Sequence, residues 1–235
     1  MCRINCKKNL VGSDIWVACS GGVDSIVAAH YLVKKLKRNV RLFHFNHGLG
    51  YYNDKMEASV KLFAQKFNLP LEIRRRDKDC KNSPGESEEA FFRRHRINAV
   101  KEACGSSQVI FAQHLNDCVE SYLMNCFNGV PEYSPIPIST SFGETQVVRP
   151  FLLTPKSTLV KYSTNYNLDD YVFEDPSNAN TKYRRNWIRN RALPVLEEEY
   201  PGLEKVVFKK VSKEYDRLIN ANRMTDPSGY VWEGK

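Results

Sequence analysis

Hydrophobic positions in the first two thirds of the chain follow two alternating spacings, one typical of strands and one typical of helices. Short apolar runs predict strands at residues 14–19, 40–46, 109–112 and 146–149, with a further strand that starts at Leu69. Helical spacing predicts helices at residues 26–36, 55–67, 88–103, 117–127, 156–166, 186–199 and 201–221. Strands separated by helices of this length predict βαβ units, and therefore an α/β fold with a doubly wound parallel sheet.

The pattern changes after residue 129. Residues 130–146 contain three prolines and one glycine, which predicts a long loop. We expect a catalytic domain over residues 1–170 and a second segment over residues 171–235 that includes a short helical carboxy-terminal extension. The last dozen residues have no regular pattern and are expected to be irregular.

A glycine-rich segment follows the first predicted strand directly and opens the next helix. Its residues are Ser20, Gly21, Gly22, Val23, Asp24 and Ser25. Glycine allows a tight turn and a close approach of the backbone, and the free N–H groups at a helix start attract anions. No lysine follows the glycines, so the segment is not a Walker loop. It predicts a phosphate-binding site at the carboxyl end of the sheet.

Charge and cysteine content narrow the classes of protein. The net charge of +8 and the pI of about 9.1 favour an anionic partner, nucleic acid first. No apolar run approaches the roughly 18–20 residues that cross a bilayer, so we expect no membrane partner. The seven cysteines are scattered and form no C-x-x-C pair, which indicates free thiols in a cytoplasmic protein.

Polar residues at strand ends extend the predicted site. His47 follows the second strand, and His114 ends the strand at residues 109–112. Asp117 and Glu120 lie on one face at the start of the next helix. A histidine and carboxylates beside bound phosphates suit magnesium and amine binding. The helix dipole also favours acidic residues at this position, so a structural role stays open for them.

Charged and polar residues, most of them arginines, form a second group of candidates. Glu89, Arg93 and Arg96 share one helix face, where Glu89 could form a surface ion pair with an arginine or Arg93 could lie near a polyanion. Further polar candidates are Arg149 after the strand at residues 146–149, and Asn178, Arg185, Asn186 and Arg189 in the segment beyond residue 170. Aromatic residues interleave the arginines of this segment, which favours RNA as the anionic partner.

The motif S-G-G-x-D-S at residues 20–25 resembles the PP-loop of the ATP pyrophosphatase superfamily, whose fold is adenine nucleotide alpha-hydrolase-like. Five further motifs resemble those of the tRNA(Ile)-lysidine synthetase family and follow in the same order. They are F-N-H-G-L at 45–49, E-x-x-x-R-x-x-R at 89–96, A-x-H-x-x-D-x-x-E at 112–120, R-P-F-L at 149–152, and D-P-S-N with R-N-x-x-R at 175–189. The resemblance covers roughly residues 14–200.

The resemblance implies a ligase that spends ATP to adenylate the C2 oxygen of the wobble cytidine in a CAU-anticodon tRNA and then joins free lysine to it. The implied cofactors are ATP and Mg²⁺, and the implied partners are the tRNA anticodon arm and free lysine, with a homodimer left open. By the same resemblance, the ATP-binding residues are Ser20 to Ser25 and His47, the catalytic ones are Asp24, Arg93, His114, Asp117 and Glu120, and the metal ligands are Asp24 and Asp117. The implied tRNA- or substrate-binding residues are Glu89, Arg96, Arg149, Asn178, Arg185, Asn186 and Arg189.

The sequence also departs from the family pattern. Asn116 stands where the family usually has aspartate, Ser121 where it usually has threonine, and Asn128 where arginine is common. The chain ends soon after Leu193-Pro194, so the resemblance implies a minimal form. Two alternatives stay open: a related tRNA 2-thiolation enzyme, against which the missing C-x-x-C argues, and a catalytically impaired homologue that binds tRNA or nucleotide.

Overall fold

The computed structural model describes residues 4–7, 10–77, 79–129 and 136–225. Two predictions fall partly on other residues. Most of the predicted irregular carboxyl end and the first part of the predicted long loop, residues 226–235 and 130–135, lie outside the described residues.

Strands and helices occur in the order that the hydrophobic pattern predicts, with one additional strand at residues 139–142. The strands are β1 Asp14–Ala18, β2 Asn39–Asn46, β3 Leu71–Arg75, β4 Gln108–Ile110, β5 Ser139–Phe142 and β6 Thr145–Val148. The helices are α1 Val23–Lys34, α2 Tyr51–Phe67, α3 Glu88–Cys104, α4 Leu115–Phe127, α5 Lys156–Asn165, α6 Arg184–Trp187, α7 Leu193–Glu199 and α8 Leu203–Thr225. A π-helical turn, Ile188–Ala192, joins α6 to α7, and short 3₁₀ turns lie at Asp169–Tyr171 and Pro176–Ala179.

The six strands form one sheet in the order β3-β2-β1-β4-β6-β5. All neighbouring pairs are parallel except β5 and β6, which are antiparallel. The predicted α/β fold with a doubly wound parallel sheet is therefore confirmed. After β1 the chain adds β2 and β3 on one side, and it later places β4 on the other side. The carboxyl ends of β1 and β4 thus flank the switch point where ligands bind in such sheets.

The edge strand β5 corrects one prediction. Residues 139–142 were expected to belong to a long loop, but they pair with β6 as a hairpin, with Phe142 opposite Thr145. Its side chains alternate between exposed and half-buried, and three of its four residues are polar. An edge strand that covers little of the core has a weak hydrophobic pattern, so the prolines before it dominated the prediction.

The carboxy-terminal helix α8 packs on the body of the fold. Its buried side chains Val207, Val211 and Tyr215 share a hydrophobic cluster with residues of α4, among them Leu115 and Val119. The predicted division at residue 170 stays a prediction, although this cluster ties α8 to α4. Within the described residues, no helix is long and apolar enough to cross a membrane.

Candidate active site

The glycine-rich loop joins β1 to α1 at the carboxyl end of the sheet, as predicted. Gly22 is the N-cap of α1, and because glycine has no side chain, this residue leaves the first N–H groups of the helix without a side-chain cap. Ser25 holds the loop in shape, because its hydroxyl accepts from the Ser20 N–H at 3.1 Å and donates to the Gly22 carbonyl at 2.9 Å. The Ser20 hydroxyl lies 3.2 Å from that of Ser25. The loop therefore presents N–H and hydroxyl groups together, as an anion site requires.

Gly21 is required by its surroundings. Its φ of +93° is a conformation that other residues rarely adopt, and a β-carbon there would lie 3.0 Å from the Met56 carbonyl oxygen. Its own carbonyl accepts a hydrogen bond from the Phe173 N–H at 2.9 Å. The loop is thus wedged between α2 and the segment that follows α5.

Three predicted side chains meet where β1 and β4 end. His114 Nε2 lies 3.5 Å from Asp24 Oδ2 and 3.6 Å from Asp117 Oδ2. The His114 backbone N–H also donates to Asp117 Oδ2 at 2.9 Å, which fixes that carboxylate at the start of α4. Burial favours a lower pKa for His114, but the carboxylates of Asp117 and Asp24 outweigh it and raise the pKa above its usual range.

Lys156, which was not among the predicted site residues, completes this group. Lys156 Nζ lies 2.9 Å from Asp24 Oδ2, and the backbone N–H of Lys156 donates to Asn116 Oδ1 at 2.8 Å. Asn116, one of the departures from the family pattern, therefore supplies an acceptor to the start of α5. Burial favours a higher pKa for Asp24, but His114 and Lys156 hold it below the usual range. The carboxylate is charged at neutral pH.

Glu120 is enclosed by arginines and does not face an open site. Only 1% of its side chain is exposed. Arg185 Nε donates to one carboxylate oxygen at 2.8 Å, and Arg189 donates to both, with Nε at 2.6 Å and Nη2 at 3.0 Å. The same two guanidinium groups lie 3.6 and 3.9 Å from Asp117 Oδ1. Glu120 thus holds two arginines at the edge of the group formed by Asp24, His114 and Asp117.

Arg149 donates its hydrogen bonds to other residues of the protein. Its guanidinium group is buried and donates to Gln113 Oε1 at 2.5 Å, to the Pro137 carbonyl at 2.8 Å and to the Thr140 hydroxyl at 2.9 Å. Burial lowers the pKa of Arg149 to about 10, and the nearby charge of Arg93 adds to this. These bonds join β5 to the residue before His114. Contact of Arg149 with tRNA stays a prediction.

His47 lies beyond the end of β2, half-buried between Phe45 and Phe92, which both make edge-to-face contacts with its ring. Burial, and then the charges of Arg96 and Arg76, lower the pKa of His47 to about 4. Its Nδ1 atom is buried and has no hydrogen-bond partner among the described residues. The imidazole is therefore neutral at pH 7, and its ATP-binding role stays a prediction.

The other predicted residues lie on α3 and in the segment that follows α5. Glu89, Arg93 and Arg96 are exposed on α3, as the shared helix face predicts. Residues 178–191 are hereafter called the basic segment, and two of its asparagines take part in hydrogen bonds within it. Asn186 Nδ2 donates to the Asn180 carbonyl, and the Asn178 carbonyl accepts from the side chain of Asn190. These bonds shape the chain around Arg185 and Arg189. They leave tRNA binding by Asn178 and Asn186 a prediction.

Comparison with known proteins agrees with this geometry. A family model described as a PP-loop domain matches residues 3–196, which include the loop at residues 20–25, the end of β4 and the basic segment. The chain belongs to the PP-loop family. The predicted superfamily is therefore confirmed, and the segment Ser20 to Ser25 is hereafter called the PP-loop.

Two curated relatives carry the same name. The tRNA(Ile)-lysidine synthase of Nitrosomonas europaea is 32% identical over 206 residues, which cover 84% of this chain and 44% of that protein. The enzyme of the same name from Pseudomonas fluorescens is 28% identical over 243 residues, which cover 97% of this chain and 54% of that protein. The chain thus spans about half the length of the curated relatives it matches.

A solved structure supports the fold alone. The U34-tRNA thiolase NcsA from Methanococcus maripaludis matches 92% of this chain and 76% of its own length, with a TM-score of 0.69 and 16% sequence identity. Such a likeness agrees with the α/β PP-loop architecture described above.

The carboxylates beside the PP-loop fit a divalent cation. Magnesium binds through one or two carboxylates together with phosphate oxygens and water. Asp24 Oδ1 is buried and has no hydrogen-bond partner within the described part of the chain. Asp24 and Asp117 converge on His114, but no group of three or more acidic, histidine or cysteine residues among those described could hold a metal. A cation held by Asp24 and Asp117 would therefore need further ligands, which phosphate oxygens and water could supply.

Two residues of the site were not predicted from the sequence. Lys156 was not a candidate, and Asn116 was not expected to form a hydrogen bond in the site. A signal was present, since a lysine in the first turn of a helix opposes the helix dipole and needs an anionic partner. Asn116 was treated only as a departure from a motif. No local sequence pattern indicates that Lys156 pairs with Asp24 or that Asn116 accepts a hydrogen bond from the Lys156 N–H.

Proposed function

We propose that the protein uses ATP to modify tRNA, as a tRNA(Ile)-lysidine synthetase. In this reaction the C2 oxygen of the wobble cytidine attacks the α-phosphorus of ATP, and pyrophosphate leaves. The amine of free lysine then attacks C2, the C2–O bond breaks, and AMP leaves with formation of lysidine. The names of the curated relatives support this reaction, and the family match supports the use of ATP.

The observation that carries the proposal is the position of His114 and Asp117 beside Asp24 of the PP-loop. The two carboxylates lie 3.5 and 3.6 Å from His114 Nε2, at the starts of helices α1 and α4, which follow the two strands that flank the switch point. The PP-loop would bind the phosphates through its N–H and hydroxyl groups. Asp24 and Asp117 would hold Mg²⁺, which offsets triphosphate charge when it is bound.

Each residue then has a physical task. Asp117 carries the negative charge that attracts the ammonium group of lysine, and His114 can accept the proton that the amine must lose before it attacks. Glu120 is a positioning residue, because it holds Arg185 and Arg189 beside Asp117. Those two arginines would contact the phosphates of ATP or of the RNA.

Exposed arginine and tryptophan side chains support tRNA as the partner. Arg93 and Arg96 are exposed on α3, and Trp187 exposes 47% of its surface within the basic segment. A positive surface with an exposed aromatic ring suits single-stranded RNA, where unstacked bases are recognised by stacking. We assign the reaction to the cytoplasm, where tRNA, ATP and free lysine occur together.

The proposal is tested by nucleoside mass spectrometry on a CAU-anticodon tRNA transcript incubated with protein, ATP, Mg²⁺ and lysine. The expected product is a cytidine whose mass increases by lysine minus water, together with AMP. Asp24→Asn should abolish both products, whereas Asp216→Asn, at an exposed position on α8, should preserve them. A transcript with a different anticodon should give no product.

Other results would support the alternatives and reject lysidine formation. Gain of sulfur in the tRNA when a sulfur donor is supplied would indicate 2-thiolation. Binding of tRNA or ATP without AMP release would indicate a catalytically impaired homologue. Equal AMP release from wild type and Asp24→Asn would show that the site is placed wrongly.

A further inference from the structure

An ammonium group occupies the carboxylate that the proposed reaction needs for a cation. Lys156 Nζ lies 2.9 Å from Asp24 Oδ2, and His114 Nε2 lies 3.5 Å from the same oxygen. The other oxygen of Asp24 is buried and has no hydrogen-bond partner among the described residues. A divalent cation on Asp24 would therefore share the carboxylate with a positive charge that is already in place.

The backbone holds Lys156 at this position. Lys156 is the first residue of α5, and its N–H donates to Asn116 Oδ1, which lies on the first turn of α4. The Leu115 N–H donates in turn to the Thr154 carbonyl at 3.0 Å, so two hydrogen bonds join the starts of α4 and α5. The backbone of Lys156 is thus anchored beside His114.

The side chain of Lys156 has freedom that its backbone lacks. About 40% of the side chain is exposed, and its single ion-pair partner in the described structure is Asp24. Because the amino end of a helix disfavours a nearby cation, this lysine gains little from α5 itself. Its charge is stabilised by whichever anion lies within reach.

We propose that Lys156 binds the triphosphate of ATP, and that a divalent cation makes it available by displacing its ammonium group from Asp24. The inference rests on the proposed use of ATP. Asp24 is the second residue of α1, so phosphates bound by the PP-loop lie close to the carboxylate that Lys156 contacts. A short rotation of the lysine side chain exchanges one anionic partner for the other.

The exchange predicts opposite effects on two affinities. Replacing Lys156 removes the competitor for Asp24, so the divalent cation alone should bind more tightly. The same replacement removes one charge-assisted hydrogen bond to phosphate, so Mg²⁺-ATP should bind about 10-fold more weakly. A residue that only supports the fold would change both affinities in the same direction or neither.

The test measures Mn²⁺ binding by electron paramagnetic resonance and Mg²⁺-ATP binding by calorimetry, on the full-length chain. Lys156→Met should bind Mn²⁺ severalfold more tightly and Mg²⁺-ATP about 10-fold more weakly than wild type. Lys161→Met is the matched control, because Lys161 is an exposed lysine of the same helix, and it should leave both affinities unchanged. Lys156→Arg retains the charge and should retain most of the Mg²⁺-ATP affinity.

A positioning variant separates the side chain from its anchor. Asn116→Ala removes the acceptor for the Lys156 N–H but leaves the ammonium group, so it should weaken Mg²⁺-ATP binding less than Lys156→Met does. Unfolding curves of all variants establish that each is folded before its affinities are compared.

The outcomes distinguish this inference from the proposed function. If wild type binds ATP and Lys156→Met binds it equally well, or binds Mn²⁺ no more tightly, the exchange is refuted while the proposed function stands. If wild type binds no ATP, both are refuted. Opposite shifts in the two affinities, with Lys161→Met unchanged, support the exchange.

Discussion

Replacement of Glu120 by glutamine tests whether the two arginines of the basic segment depend on a buried charge. The substitution preserves the volume of the side chain and removes its negative charge. Glu120 is 1% exposed and accepts three N–H bonds from Arg185 and Arg189 at 2.6 to 3.0 Å. The glutamine oxygen can still accept from one guanidinium group, but its NH₂ group would face the donors of the other.

The expected loss follows from these contacts. Removing one member of a fully buried ion pair costs about 3–5 kcal/mol. The side chains of Arg185 and Arg189 are 30% and 38% exposed, and Asp117 Oδ1 lies 3.6 and 3.9 Å from them, so water and Asp117 replace part of the lost attraction. We therefore expect Glu120→Gln to lower the free energy of unfolding by about 2 kcal/mol.

The assay is urea denaturation at pH 7, followed by circular dichroism. A loss of this size should lower the urea midpoint by roughly 1 M. Glu198→Gln is the matched control, since Glu198 is exposed on α7, and it should change the free energy of unfolding by less than about 0.5 kcal/mol. If the midpoints of Glu120→Gln and Glu198→Gln coincide, Glu120 does not hold the arginines as described.

Two further predictions concern the PP-loop and the ion pair between Glu57 and Arg75. Gly21→Ala should weaken ATP binding by about 10-fold in calorimetry, because its β-carbon would lie 3.0 Å from the Met56 carbonyl at a φ of +93°. Gly85→Ala, also at positive φ but with nothing within 4 Å, should bind ATP normally, and equal weakening in both variants would contradict the steric argument. Arg75 above all lowers the pKa of Glu57 from 4.5 to about 2, so the stability that this ion pair contributes is present above about pH 4.5 and is lost as the pH falls towards 2. The difference in unfolding free energy between wild type and Glu57→Gln should shrink across that range, and a constant difference would refute this origin.

Local patterns were sufficient for the elements and for part of the site. The loop after β1 was predicted as a phosphate site from its glycines and its place between a strand and a helix, and it lies there. His114 and Asp117 were expected at the same edge, because the carboxyl ends of parallel strands share one edge of the sheet. His114 Nε2 does lie within 3.6 Å of a carboxylate oxygen of both Asp24 and Asp117. Each of these inferences used only neighbouring residues and the geometry of the βαβ unit.

Other features depend on contacts between residues far apart in the chain. The sheet order, with β4 beside β1, is set by packing and not by any single segment. The bond between Lys156 and Asp24 joins residues 132 positions apart, and the bond between Arg185 and Glu120 joins residues 65 apart. Glu120 was predicted to contact substrate or metal, whereas in the structure both of its carboxylate oxygens accept hydrogen bonds from arginines.

Local sequence patterns were enough to predict the α/β class, the PP-loop and the strand ends that carry polar side chains, because hydrophobic period, turn chemistry and helix capping act over a few residues. Three features depend on how distant segments pack: Ser139–Phe142 forms an edge strand, Glu120 pairs with two arginines, and Lys156 pairs with Asp24. These partners are far apart along the chain. A side chain's partner is selected by how whole helices pack on the sheet, and the local pattern does not contain that choice.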